Sequence, residues 1–189
     1  MKVAIFKPDE YTVSEWSGGT TTQMYIYPPE AQYAKRDFLL RLSSATVADE
    51  ESDFTKLPGI DRLIMTLDNS IELEHGSKKK VNLKPFESYS FSGGDDTVSR
   101  GKCTDFNVMI KSGTYEKAEL FVNEAAAFDL YPYDGVCFLY AASGSYEIVT
   151  PDGTYKLAQN ELARLRDIEY SKIRRTDVSS EMVVFKLEW

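Results

Sequence analysis

Apolar and polar residues alternate along this chain in short runs, and a period of two predicts β-strands rather than helices. Residues 23–27, 38–47, 62–67, 71–74, 81–83 and 88–91 carry alternating or β-branched character, as do 105–111 and 118–122. The series continues through 136–141, 146–150, 154–158, 161–165 and 182–187. Turn chemistry separates the runs at Asp68-Asn69, Gly93-Gly94-Asp95-Asp96, Ser143-Gly144 and Pro151-Asp152-Gly153. No segment holds a long amphipathic helical period. Only after Asp49-Glu50-Glu51 is a turn of helix expected, capped by Ser52 or Asp53. The fold class is all-β, an antiparallel sandwich or barrel with very little helix.

Residues 64–91 and 138–165 follow one plan of strand, tight turn, strand, polar tip, strand, short turn and strand. Leu83 and Glu87 correspond to Leu157 and Glu161, 74 residues on in both cases. This predicts two tandem β-barrels, residues 1–112 and 113–189, whose terminal strands are free to swap between halves. The second half, with its Ser-Gly, Pro-Asp-Gly and Asn-Glu turns, resembles a cupin barrel, a double-stranded β-helix or jelly roll. The whole is then a bicupin.

Composition narrows the function. In 189 residues, 42% hydrophobic and 13% aromatic content suffices for a packed core. Twenty-two basic against 30 acidic residues give a net charge of −8. Such a surface repels phosphate backbones and anionic lipid, so neither nucleic acid nor membrane is an expected partner. The run Lys78-Lys79-Lys80 reads as a solvated hairpin tip. No apolar stretch approaches the ~20 residues that span a bilayer, and the N-terminal apolar segment is too short for a secretory signal. Cys103 and Cys137 have neither metal nor redox spacing; buried free thiols in a cytoplasmic protein are expected, with a single disulfide left open.

Metal chemistry finds no support. A cupin-type centre calls for two histidines one residue apart, a nearby carboxylate and a third histidine on a later strand. The chain has one histidine, His75, followed by Gly76-Ser77-Lys78, which predicts an exposed tip rather than a base inside a barrel. Glu72 and Glu74 alternate with Ile71 and Leu73, as on a strand's solvent face. No serine sits in a nucleophile elbow, and neither glycine pair has the context of a phosphate loop. No cofactor is expected.

What remains is polar and cationic. Arg41 shares a strand face with Leu39 and Ser43, opposite Phe38, Leu40 and Leu42. If that face is inward, a guanidinium enters the barrel, where its planar fork suits a carboxylate. Arg62 follows a Pro-Gly turn at a strand entrance. Trp16 is a stacking wall or a plug for the barrel end. Thr21 and Gln23 offer a hydroxyl and an amide on one side of a strand, and Asn107 alternates with Phe106 and Val108. Gly18, Gly19, Ser43, Asp61 and Asp105 are expected as structural supports, the two aspartates as partners of the arginines.

Five phrases in fixed order carry a further resemblance: Trp16-Ser17-Gly18-Gly19-Thr20-Thr21-Thr22-Gln23, Phe38-Leu39-Leu40-Arg41-Leu42-Ser43, Leu57-Pro58-Gly59-Ile60-Asp61-Arg62, Leu83-Lys84-Pro85-Phe86 and Asp105-Phe106-Asn107-Val108-Met109. Together they resemble the HutD/Ves family over nearly the whole chain. Here the first loop is one residue shorter and lacks the family's asparagine. Gln23 stands where glutamate is usual, and Leu57 replaces phenylalanine. The resemblance implies a two-barrel cupin arrangement with a polar cup in the first barrel, and for some members a link to histidine degradation or stress. The expectation is a metal-independent protein that binds a small carboxylate metabolite in an accessory or regulatory role, with self-association left open. Two alternatives stand beside it: a metal-free isomerase or lyase using Asp61 or Asp105 as base, and a non-catalytic protein-interaction module.

Overall fold

The computed structural model describes every residue except Ser77, Lys78 and Ser179, so the centre of the expected lysine-rich tip lies outside the described residues. In chain order, β1 (Lys2–Phe6) comes first, followed by β2 (Thr12–Trp16), β3 (Gly19–Tyr27), β4 (Leu40–Val47), β5 (Glu51–Asp53) and β6 (Ile60–Thr66). Then come β7 (Ile71–His75), β8 (Lys79–Leu83), β9 (Ser88–Ser92), β10 (Thr97–Arg100) and β11 (Cys103–Lys111). The remainder are β12 (Lys117–Asn123), β13 (Ala127–Leu130), β14 (Tyr133–Ala141), β15 (Tyr146–Thr150), β16 (Gly153–Leu157), β17 (Leu162–Ile168), β18 (Ser171–Arg175) and β19 (Met182–Glu188). Helix among the described residues is limited to two 3-10 turns, Pro8–Glu10 and Tyr33–Lys35. The helical turn expected after Glu51 is instead β5, which pairs with β10 from Val98–Asp53 to Arg100–Glu51.

The chain forms two compact units, Tyr11–Thr114 and a second made of Met1–Glu10 with Tyr115–Trp189. The first ten residues therefore belong with the C-terminal unit and not with residues 11–112. The cause is pairing: β1 runs antiparallel to β17 over five residue pairs from Lys2–Arg166 to Phe6–Leu162.

In the unit Tyr11–Thr114, one sheet has the order β2-β3-β4-β11-β6-β9 and the other β5-β10-β7-β8. Their facing sides meet in a cluster to which Val47, Ile64 and Cys103 come from the first sheet and Ile71, Leu73 and Leu83 from the second. A separate group around Phe38, Leu57, Ile60 and Met109 closes another part of the interior. Burying each such side chain stabilises the fold by about 1.5–3 kcal/mol.

The unit containing β12–β19 pairs the sheets β1-β17-β14-β19-β12 and β13-β18-β15-β16. Its interior is filled by apolar side chains including Leu139, Ala141, Ile148, Leu157, Leu165 and Val184, all fully buried. These side chains pack against one another in that unit's interior.

Both cysteines are free and buried. Burial pushes the Cys103 and Cys137 thiols up to about 12, which makes them inert as nucleophiles.

Candidate functional site

The interior of the unit Tyr11–Thr114 is not packed throughout. Between Met109 of one apolar cluster and Val47 of the other lies a cavity of about 280 Å³. Strand periodicity explains its lining. On β4 the alternate residues Arg41, Ser43, Ala45 and Val47 face it, on β11 Asp105, Asn107 and Met109 do, and on β6 Arg62 does. The opposite sides of β4 and β11 carry Leu40, Leu42, Phe106 and Val108, each at most 1% exposed, so both faces of these central strands are buried.

Antiparallel register sets the side chains in rows across the sheet. Met109 stands opposite Arg41 on one side and Arg62 on the other, so the two arginines flank one methionine. The next row holds Gln23, Ser43, Asn107 and Ile64, and the one after it Thr21, Ala45, Asp105 and Thr66. Ser14 on β2 pairs with Thr21, and both reach the cavity.

Both guanidiniums are buried, Arg41 at 5% and Arg62 at 3% exposure. Arg41 donates Nε–H to Gln23 Oε1 at 2.8 Å and Nη1–H to Ser43 Oγ at 3.1 Å. Its guanidinium also lies 4.3 Å over the ring of Tyr33. Arg62 donates Nη2–H to the Thr55 carbonyl at 2.6 Å and sits 5.2 Å over the ring of Phe54. Every one of these partners is neutral. No ion pair among the described residues engages either arginine. Burial, above all, lowers both guanidinium pKa values; each still carries its charge at neutral pH. Among the residues that line the cavity, two buried side-chain atoms have no hydrogen-bond partner, Arg62 Nε and Asn107 Oδ1.

At the rim, Trp16 is 38% exposed and folds over Gly18, where an added Cβ would lie 2.3 Å from its ring. At Gly19, with φ +155°, a Cβ would meet the Thr46 carbonyl oxygen at 1.9 Å. These two glycines let the β2–β3 hairpin close against β4.

Of the residues expected in the cup, Trp16, Thr21, Arg41, Ser43, Arg62, Asp105 and Asn107 line it. Gln23 does not. It stands beside Arg41 and accepts the guanidinium's Nε–H. Asp61, expected as a structural support, stands outside the cup. It alternates with Arg62 onto the other face of β6 and accepts a hydrogen bond from Ser112 Oγ at 2.9 Å, outside the cavity. His75 is half-buried rather than exposed, its ring 4.9 Å from that of Phe91 and its Nδ1 2.9 Å from Thr97 Oγ1. The period of β7 puts it on the same side as Ile71 and Leu73. Glu72, on the other side, pairs with Lys80. Sequence reasoning missed Tyr33, Phe54, Thr55 and Met109. Alternation with Asn107 would have found Met109, whereas the other three sit in a loop turn or around a three-residue strand. Among the described residues, no group of three or more His, Cys, Asp or Glu side chains is placed to hold a metal ion.

The family model for HutD matches residues 8–182. The fold is similar to that of a conserved protein of unknown function from Pseudomonas aeruginosa PAO1, at TM-score 0.87 and 18% identity over 100% of both chains. HutD from Pseudomonas fluorescens SBW25, described as in a formate condition, superposes at TM-score 0.78 and 16% identity over 100% of both chains. YhhW from Escherichia coli, a bacterial pirin, follows at TM-score 0.73 and 11% identity, covering 98% of this chain and 97% of its own. At these identities the structures establish the fold, which is that of the cupins. The sequence matches no curated protein.

Proposed function

The chain belongs to the HutD family, and from that footing we propose that the cavity of its first barrel is a receptor for a small carboxylate. One observation carries the reading: two buried guanidiniums line a single cavity and are held by neutral groups alone. An unpaired buried charge is costly, and an anion with two oxygens to accept parallel N–H donors offsets that cost in a way a neutral ligand cannot. The protein as a whole carries −8, and the two guanidiniums are a local positive feature of a cavity that Asp53 and Asp105 also line. Asn107 lines the same cavity and supplies an amide for orientation.

The role is accessory or regulatory: occupancy of the cup reports a metabolite. Membership of the family makes acids of histidine degradation the first candidates, N-formyl-L-glutamate and urocanate among them. Thermal melting with a panel of these acids tests the reading. A ligand at a hundred times its Kd stabilises by about 2.7 kcal/mol, a rise of several degrees. A panel of mono- and dicarboxylates that leaves the melting temperature unmoved overturns it. The isomerase alternative is narrowed to Asp105, since Asp61 lies outside the cavity, and it requires turnover that Asp105→Asn abolishes.

A further inference from the structure

Asp105 is a charged wall of the cup that anion binding alone leaves without a task. It is 3% exposed, and its Oδ1 accepts one hydrogen bond, from the Ala45 amide at 3.3 Å, which is long for such a bond. No ion pair joins it to Arg41 or Arg62. Strand geometry accounts for this: both arginines flank Met109, four residues and about 13 Å of strand from Asp105. Their fields still reach it and favour its ionised form. The other groups around it do not neutralise it. Cys103, on its own strand, is a neutral thiol, and Ala45 of β4 and Thr66 of β6 are uncharged. Asp68, in the turn after β6, adds negative charge. Asp53 and Tyr33 line the same cavity.

Resting on the receptor reading above, we propose that the cup takes up its carboxylate together with a proton, which is held on Asp105. Two effects act in one direction. A bound anion neutralises the arginine fields that keep Asp105 ionised, and it adds a like charge inside one low-dielectric cavity. Burial already pushes this carboxyl up to about 7 in the empty cup. Filling the cup drives it higher, so between the two values binding of the anion recruits a proton from solvent. Affinity for the anion must then fall as pH rises above about 7, by at most tenfold per pH unit for a single linked proton. Asp105 becomes the residue that makes the site select for an acid rather than for a bare anion.

The test is a carbonyl-detected 13C NMR titration of the Asp105 side chain, assigned with Asp105→Asn, without and with 100 mM sodium formate. The Nε–H resonances of Arg41 and Arg62 report binding in the same samples. The expected result is a titration near 7 in the free protein that moves up by about one pH unit or more with formate. In parallel, formate affinity of the wild type should weaken several-fold from pH 7 to 8.5, while that of Asp105→Asn stays flat. Formate that shifts the arginine resonances and leaves the Asp105 titration in place overturns the proton linkage and spares the receptor. Formate that moves neither overturns the receptor reading and the linkage with it.

Discussion

Gln23 accepts the Nε–H of Arg41 at 2.8 Å yet takes no part in the cavity wall, so the guanidinium is fixed by a partner that leaves its charge intact. A glutamate at that position, usual in the family that the five phrases resemble, would orient Arg41 equally well and cancel its charge. The amide therefore sets the electrostatics of this cup as well as its geometry.

Gln23→Glu is accordingly expected to weaken carboxylate binding tenfold or more, equivalent to about 1.4 kcal/mol, with the fold intact. Gln23→Ala should lower stability by about 1–3 kcal/mol, because it leaves a buried Nε–H without an acceptor. Calorimetric titration with N-formyl-L-glutamate and thermal melting separate the two effects. Equal binding by the glutamate variant and the wild type would show that Arg41 does not act through its charge.

Asp105 makes stability depend on pH in a defined direction. Its folded pKa, about 7, lies above the ordinary 3.8. The folded protein thus holds a proton that the unfolded chain has released, and stability falls as pH rises from about 4 to about 7. Above 7 the penalty is constant. Asp105→Asn removes it, so the variant should melt higher than the wild type at pH 8, by the equivalent of a few kcal/mol, and close to it at pH 4. An unchanged difference between the two proteins across that range would contradict the assignment.

The Gly18-Gly19 pair is tested by single alanines. Gly19→Ala drives a Cβ into the Thr46 carbonyl, a backbone atom that cannot step aside, and should cost about 3 kcal/mol or more in melting experiments. Gly18→Ala meets the indole of Trp16, which can swing, so the loss should be smaller and accompanied by a change in Trp16 fluorescence. Equal losses at the two sites would mean that the hairpin moves as a whole.

How much of this was legible in the sequence depends on what each residue's position is decided by. Alternation put Arg41 with Ser43 and set Asn107 apart from Phe106 and Val108, because a period of two is a property of the strand itself. The same rule separates Asp61 from Arg62, but adjacency in the Asp61-Arg62 phrase suggested a pair. Alternation could not say which face of β4 was the cavity, since Leu40 and Leu42 on the other face are as buried as Arg41. The place of Gln23 beside Arg41 was not legible, because the irregularity between Gln23 and Tyr25 and the reach of the Arg41 side chain are tertiary facts. The pairing of β1 with β17 spans most of the chain and leaves no local trace. Tyr33 lies on a 3-10 turn outside any periodic segment, so nothing marked it as the ring over which Arg41 lies.

The most direct measurement is calorimetric titration of N-formyl-L-glutamate and of formate into the wild type, Arg41→Met, Arg62→Met and the double variant. Methionine keeps the length of the side chain and removes a buried, unpaired cation, so the variants should melt no lower than the wild type. The expected result is saturable one-to-one binding by the wild type, at least tenfold weaker binding by either single variant, and no measurable heat from the double. Undiminished binding by the folded double variant, or a wild type that binds neither acid, would contradict an anion-receiving cup.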